Sequence, residues 1–130
     1  MLALSMYEEY LIDILNSKRT DDVRLYNTKN RGKIALITSR SNLIYGYVEL
    51  ISTSEISYEE YILWHINSTF SREDAEKWIV LNKSMIKSKK AYKYNFINPM
   101  LLEHPKKVKI INSNKCWIEY EERYEQLSLF

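Results

Sequence analysis

The first clear hydrophobic pattern lies between residues 7 and 15, where apolar side chains recur every three or four positions. This spacing places them along one face of an amphipathic helix. The face is formed by Tyr7, Tyr10, Leu11, Ile14 and Leu15. Ser5 and Glu8 have the spacing of a capping box, which predicts that the helix begins directly after Ser5. Asn16 and Ser17 predict its end, because their polar side chains compete for backbone hydrogen bonds.

Short apolar runs bounded by turn residues predict the strands. These runs cover residues 2–4, 33–38, 43–51, 108–111 and 116–120, and the more polar residues 20–26 and 92–97 are also predicted to be extended. Gly46 indicates a bulge or a close backbone approach within its strand. Asn98-Pro99 is expected to break the extended segment that precedes it. The last run is predicted as a strand, with the entry to a short acidic helix over residues 119–125 as the alternative.

Two further helices are predicted in the second half of the chain. Each begins with the spacing of a capping box, at Ser57-x-x-Glu60 and at Ser71-x-x-Asp74. The order of elements is strand, helix, several strands, helices and strands again. It lacks the regular alternation of strand and helix that is typical of doubly wound proteins. We therefore predict an α+β domain built around a small mixed sheet.

Length and charge narrow the class of protein. A chain of 130 residues has the length of one domain. Its formal net charge of +2 is too small to indicate nucleic acid by itself, so any basic surface depends on how the charges are distributed. Cys116 is the only cysteine, which excludes an internal disulfide and predicts a reducing compartment. No apolar run reaches the roughly 18 residues of a membrane span, and the first residues lack the basic start of a signal peptide. We expect a cytoplasmic protein without a membrane partner.

Residues 16–24 carry a high density of charge directly after the first helix. Lys18, Arg19 and Arg24 are suited to binding phosphates, since arginine offers a bidentate fork and lysine a point charge. The alternative is a network of ion pairs on the surface with Asp21 and Asp22, which would contribute little stability. The lysine-rich segment that ends at residue 93 would add a salt-sensitive term to nucleic-acid binding, or is simply a solvated face.

Several separated segments occur in an order that is known from one family. Residues 17–24 read S-K-R-T-D-D-V-R, residues 31–39 form an arginine-glycine turn into a strand that ends in serine, and residues 44–50 read I-Y-G-Y-V-E-L. Residues 92–99 read Y-K-Y-N-F-I-N-P, and a strand with Trp117 follows. These segments resemble the motifs G-K-K-T-x-E-x-R, I-x-G-x-V-E-L and Y-x-W-x-x-x-N-P of the activating-signal-cointegrator homology (ASCH) domain.

The resemblance covers roughly residues 2–120 and implies a PUA-like fold. Such a fold is a small mixed β-barrel with a capping N-terminal helix and two or three further short helices. We therefore expect an ASCH domain over residues 1–120 and a C-terminal tail over residues 121–130. The chain departs from the family at four motif positions, where it has Ser17, Arg19, Asp22 and Tyr94.

The ASCH resemblance also implies a cleft that faces RNA or another nucleotide-containing ligand. The residues expected to contact the ligand are Lys18, Arg19, Arg24, Ser39, Arg40, Tyr45, Tyr92 and Tyr94. The tyrosines would stack on unpaired bases, and each such contact contributes about 1–3 kcal/mol. Because the chain has 11 tyrosines, the alternative is that these rings are core or half-buried strand residues.

Hydrolysis is a second function that the resemblance implies for the same cleft. One bacterial branch consists of amidohydrolases on N4-acylated cytidine that use a lysine-activated threonine. Here Arg19 stands at that lysine and Asp22 at that threonine, and arginine stays protonated and cannot act as the base. Other relatives are ribonucleases, for which Lys18, Asp22 and a tyrosine would supply acid, base and charge stabilisation. The candidate catalytic residues are Lys18, Thr20 and Asp22.

Metal and cofactor sites are not predicted. His65, His104 and Cys116 lack the spacing of metal ligands. With Gly32 and Gly46 as the only glycines, the sequence contains no glycine-rich loop for phosphates.

The last five residues suggest a protein partner. Gln126-Leu127-Ser128-Leu129-Phe130 resembles the bacterial sliding-clamp-binding peptide of the type Q-L-[S/D]-L-F. Leu127, Leu129 and Phe130 would enter an apolar pocket of the clamp, while the amide of Gln126 forms a hydrogen bond at its edge. The chain would then be an adaptor on a DNA sliding clamp. The alternative is that these side chains complete the protein's own core.

Overall fold

A computed structural model describes residues 1–39, 41–66, 72–81, 89–114 and 116–122. The strands are β1 (Leu2–Met6), β2 (Asp21–Arg24), β3 (Gly32–Thr38), β4 (Leu43–Ser57), β5 (Lys90–Asn114) and β6 (Trp117–Glu122). The helices are α1 (Glu8–Leu15), α2 (Tyr58–Ile66) and α3 (Arg72–Leu81). The predicted last strand is confirmed, since residues 117–122 are extended. The C-terminal peptide and Arg40 lie outside the described residues.

The strands form one mixed sheet of six strands in the order β2-β5-β4-β3-β1-β6. β1 runs parallel to β3, whereas the pairs β1–β6, β2–β5 and β3–β4 are antiparallel. β5 also pairs with β6. The prediction of an α+β fold around a mixed sheet, with an N-terminal helix and further short helices, is confirmed.

The contacts of the chain divide it into two compact units. Unit 1 comprises Met1–Thr20, Arg31–Ile51 and Phe96–Phe130, and unit 2 comprises Asp21–Asn30 and Ser52–Asn95. In unit 1, a core of apolar side chains joins β1, β3, β4, β5 and β6. Its buried members are Ala3, Ala35, Ile37, Ile44, Tyr47, Val108 and Tyr120. The buried apolar side chains of unit 2 are Val23, Tyr58, Ile66, Ala91 and Tyr94.

The start of α1 differs from the prediction. Ser5 lies in β1, where its N–H donates to the carbonyl oxygen of Cys116 at 2.8 Å, so the predicted capping box is wrong. The helix begins at Glu8, and Tyr7 caps it from an extended conformation without a side-chain hydrogen bond. Tyr7 is therefore 59% exposed rather than part of the inward face. The other four residues of the predicted face are buried, and the predicted end at Asn16 is confirmed.

Asn98-Pro99 does not break the extended segment, and the prediction of two separate strands is wrong. β5 is continuous over 25 residues. Asn98 adopts a left-handed conformation with φ of 53°, which asparagine tolerates better than most residues. A strand can contain proline where its missing N–H is not needed for pairing. A single left-handed residue thus turns the chain locally while strand pairing continues on both sides.

The N-cap bond of the second predicted capping box is confirmed. The N–H of Glu60 donates to Oγ of Ser57 at 3.0 Å, and Oγ of Ser57 donates to Oε1 of Glu60 at 3.4 Å. α2 begins immediately afterwards. The predicted helix after Ser71 is present as α3, although Ser71 itself lies outside the described residues.

Ser57→Ala is expected to lower the free energy of unfolding by about 1 kcal/mol, because the N–H of Glu60 loses its acceptor. The control is Glu59→Ala, which removes an exposed carboxylate from the same first turn and is expected to cost only about 0.3 kcal/mol. Urea unfolding followed by circular dichroism measures both. Equal losses would show that the Ser57 cap contributes nothing of its own.

None of the helices in the described ranges has both the length and the apolar character needed to cross a bilayer.

Candidate functional site

The charged stretch begins with a left-handed residue at the end of α1. Ser17 has φ of 61°. Its N–H donates to the carbonyl oxygen of Ile14 at 3.1 Å, and the N–H of Lys18 donates to the carbonyl oxygen of Asp13 at 2.8 Å. These two bonds form the Schellman arrangement that often ends a helix at glycine. Ser17 stands where the ASCH motif has glycine, the residue that adopts a left-handed conformation without steric cost.

Lys18, Arg19 and Thr20 belong to unit 1. Lys18 and Thr20 are exposed, and the guanidinium of Arg19 lies over the ring of Tyr10 at 5.6 Å from its centroid. The Thr20 carbonyl accepts a hydrogen bond from the N–H of Phe96 at 2.9 Å. The cation on Lys18 is therefore presented to solvent, while the Arg19 guanidinium is held against an aromatic face.

Asp22 and Arg24 belong to unit 2, where they bind each other. Nε of Arg24 donates to Oδ2 of Asp22 at 2.6 Å, and the side chains are 18% and 3% exposed. Alternate residues of a strand point to the same side, which brings these two together on β2. The carboxylate of Asp22, predicted as a catalytic group, is thus buried and engaged by a cation.

Tyr92 and Tyr94 lie on β5, the strand that pairs with β2 and its ion pair. Tyr94 is paired in register with Asp22, and Tyr92 with Arg24. Tyr94 is 0% exposed, and its hydroxyl donates to the carbonyl oxygen of Tyr26 at 2.5 Å. Its ring offers no exposed face to a base, whereas Tyr92 is half-buried.

A pocket of about 540 Å³ lies within unit 1. One wall is the start of α1, with Tyr7, Glu8 and Glu9. The other wall comes from the end of β3 and the start of β4. It is formed by Thr38, Ser39, Ser41, Leu43 and Tyr45. Ser39 and Tyr45, both predicted to contact nucleic acid, are therefore brought together.

A bulge in β4 positions Tyr45 in this wall. Leu36 pairs with Gly46, but the next residue of β3 pairs with Ile44, so Tyr45 is the extra residue. Bulges redirect side chains from the regular alternation of a strand. The expectation of a bulge or close approach at Gly46 is confirmed on both counts, because Gly46 is also packed against Leu15 and the backbone of Met100.

The hydroxyl of Tyr45 donates to Oε1 of Glu8 at 3.0 Å across the pocket. This bond to the carboxylate, together with desolvation, raises the pKa of Tyr45 above its usual value. The shift thus favours the protonated hydroxyl, which is the donor of this bond. The hydroxyls of Thr38 and Ser41 also bind each other in a short hydrogen bond. Within the described residues, the carboxylate of Glu9 makes no hydrogen bond.

Most of the pocket could not be found by sequence reasoning. Tyr7 was assigned to the inward face of the helix and Glu8 to a capping box, and Glu9 and Thr38 carried no signal of their own. The sequence contained two hints: the polar turn at residues 39–42, which follows an apolar strand, and the ASCH resemblance, which predicted Ser39 and Tyr45 as contacts. Among the described residues, no group of three or more His, Cys, Asp or Glu side chains could hold a metal ion.

Comparison with known proteins gives similarity at the level of structure. No family model and no curated protein matches the sequence. The structure is similar to a crystal structure of an ASCH protein from Zymomonas mobilis, with a TM-score of 0.54, 14% identity, and coverage of 85% of this chain and 72% of the other. A serine-to-alanine mutant of that protein gives a TM-score of 0.58 at 13% identity, covering 82% and 72% of the two chains. A tyrosine-to-phenylalanine mutant gives a TM-score of 0.56 at 12% identity, covering 82% of this chain and 74% of the other. The ASCH resemblance of the separated sequence motifs is therefore confirmed at the level of the fold, and the chain has the fold of the ASCH proteins.

Proposed function

We propose that this chain binds RNA or another nucleotide-containing ligand, with one base in the pocket of unit 1 and phosphates on Lys18 and Arg19. The observation that carries the proposal is the pocket itself, in which Ser39 and Tyr45 meet. Both were predicted as contacts through an ASCH resemblance, and they come from opposite sides of a turn. The pairing of β5 with β6 further supports the PUA-like barrel of such proteins.

The size and lining of the pocket suit a single base. Its volume of about 540 Å³ lies within the range of small-molecule sites. Tyr7 and Tyr45 supply aromatic surface for stacking, and the surrounding hydroxyls and carboxylates supply polar partners. Glu8 and Glu9 would repel a phosphate, so we place the base rather than the backbone in this pocket.

The backbone of the ligand would instead contact the far end of α1. The helix has eight residues, so its ends are separated by about 12 Å. Lys18 and Arg19 follow its C-terminal end, and Lys18 is exposed. Arg40, which lies outside the described residues, stays a prediction as a further contact. The proposal does not use Arg24 or Tyr94, because each is engaged within unit 2. It does not use Tyr92 either.

The test is fluorescence anisotropy of labelled single-stranded RNA and DNA over a salt series. Tyr45→Ala is expected to weaken binding by about 1–3 kcal/mol through lost stacking. Lys18→Ala is expected to weaken it equally for all sequences and to lower the salt slope by about 1. Lys109→Ala removes the same charge from an exposed position in β5 and is the control. Wild-type protein that binds neither polymer would refute the proposal for single strands.

The same samples, run on a denaturing gel, test whether the protein hydrolyses RNA. The carboxylate of Asp22, the candidate base, is buried and bound to Arg24. We therefore propose binding without catalysis, and RNA that stays intact agrees with this. Cleaved RNA would favour the ribonuclease alternative. Three further expectations stay predictions from the sequence. They are a cytoplasmic location, the division between residues 120 and 121, and the docking on a DNA sliding clamp through Gln126, Leu127, Leu129 and Phe130.

A further inference from the structure

The carboxylate of Glu8 is the one acidic group of the pocket that the protein holds in place. Its Oε1 accepts the hydroxyl of Tyr45 at 3.0 Å, and a bulge fixes the position of Tyr45 in β4. A carboxylate has about four acceptor positions, so most of its capacity remains for a ligand. An acceptor that is oriented before binding loses less entropy when the ligand arrives.

The other polar groups of the pocket do not offer an equally oriented acceptor. The hydroxyls of Thr38 and Ser41 bind each other. Glu9 is exposed, as Glu8 is, but it makes no hydrogen bond in the part of the chain that the structure describes. An ionised carboxylate accepts hydrogen bonds and donates none. A ligand group placed beside Glu8 must therefore bring hydrogen-bond donors.

We infer that Glu8 makes this pocket selective for a base with two adjacent N–H donors, which among the four RNA bases is guanine. The inference rests on the proposed function and adds the identity of the base. Guanine presents N1–H and the N2 amino group side by side on its Watson–Crick edge, and a carboxylate accepts two parallel N–H bonds well. Adenine and cytosine present one amino group beside an acceptor nitrogen, and uracil presents one N–H between two carbonyls. Each of these bases would place an acceptor against the carboxylate.

The experiment compares labelled RNA octamers that differ at one central base. The background is oligouridine, and the central base is uracil, guanine, adenine, cytosine or hypoxanthine. We expect the guanine octamer to bind about 5- to 100-fold more tightly than the uracil octamer. Hypoxanthine keeps N1–H but lacks the N2 amino group, so its octamer is expected to lose most of this preference. The guanine-to-uracil affinity ratio is the readout, because it cancels changes in backbone binding.

Variants assign the preference to one carboxylate. Glu8→Gln keeps the size of the side chain but replaces one acceptor with a donor, and its ratio is expected to fall to about 1. Tyr45→Phe keeps the ring and releases Glu8, so its ratio is expected to fall in part. Glu119→Gln, an exposed position on β6 outside the pocket, is the control for charge.

The outcomes separate this inference from the proposed function. Octamers that all bind with the same affinity would leave RNA binding intact and overturn the selectivity. A guanine preference that survives in Glu8→Gln, or that is lost equally in Glu119→Gln, would overturn the role of Glu8. If wild-type protein binds none of the octamers, the proposed function is refuted for single-stranded RNA and the inference with it.

Discussion

Gly46→Ala is expected to lower the free energy of unfolding by about 2–3 kcal/mol or more, the range found for overpacked cores. A Cβ atom at this position would lie 2.7 and 2.9 Å from the two terminal carbons of Leu15 and even closer to the carbonyl oxygen of Met100. Leu15 is buried in α1, and a backbone carbonyl can move only with its strand. Urea unfolding measures the loss.

Gly32→Ala is the matched control. Gly32 has φ of 95°, and nothing lies within 4 Å of an added Cβ. Alanine there adds backbone strain without a clash and is expected to cost about 1–2 kcal/mol. A smaller loss for Gly46→Ala than for Gly32→Ala would contradict the close packing of β4 against α1. Because Gly46 adjoins the bulge at Tyr45, the folded fraction of Gly46→Ala should also bind RNA more weakly.

Arg24→Ala is expected to destabilise unit 2 by about 3–5 kcal/mol, since it leaves the carboxylate of Asp22 buried without its cation. The double variant Asp22→Ala/Arg24→Ala should cost less than the sum of the single variants, because it removes both charges. Lys93→Ala is the control. Its ammonium lies 3.5 Å from Asp21 in an ion pair that is 41% and 22% exposed, so the loss should stay below about 1 kcal/mol. Additive losses at Asp22 and Arg24 would contradict the interaction.

This expected loss changes how Arg24 can be used in binding studies. The residue matches the arginine of the family motif, and its substitution would ordinarily be the first test of a phosphate contact. Weaker RNA binding by Arg24→Ala would here reflect unfolding of unit 2 as readily as a lost contact. Lys18 is the better probe, because it is exposed.

The sequence by itself determined the parts that depend on neighbours along the chain. The spacing of apolar residues predicted the buried face of α1 through Tyr10, Leu11, Ile14 and Leu15. The Ser57 capping box and the end of α1 at Asn16 were also predictable, because both are made by groups within a few residues of each other. The order of the motifs was sufficient to predict the ASCH fold.

Only the tertiary structure decided where strand pairing overrides local signals. Ser5 has the spacing of a cap, yet β1 continues through it because Ser5 pairs with Ile37 of β3 and donates to Cys116. β5 likewise continues through Asn98-Pro99. Long-range hydrogen bonds on both sides of a turn residue can outweigh its local preference, and the pattern of one segment contains no information about its partner.

The candidate site shows the same division. Ser39 and Tyr45 were predicted, whereas the contact of Tyr45 with Glu8 joins residues 37 positions apart. The burial of Asp22 with Arg24 was equally hidden, because a run of charged residues is usually solvated. A pocket and a buried ion pair are both properties of surfaces that meet only after the chain has folded. The sequence could therefore predict which residues are chemically suited to bind a nucleotide, but the structure alone determined which of them remain accessible to one.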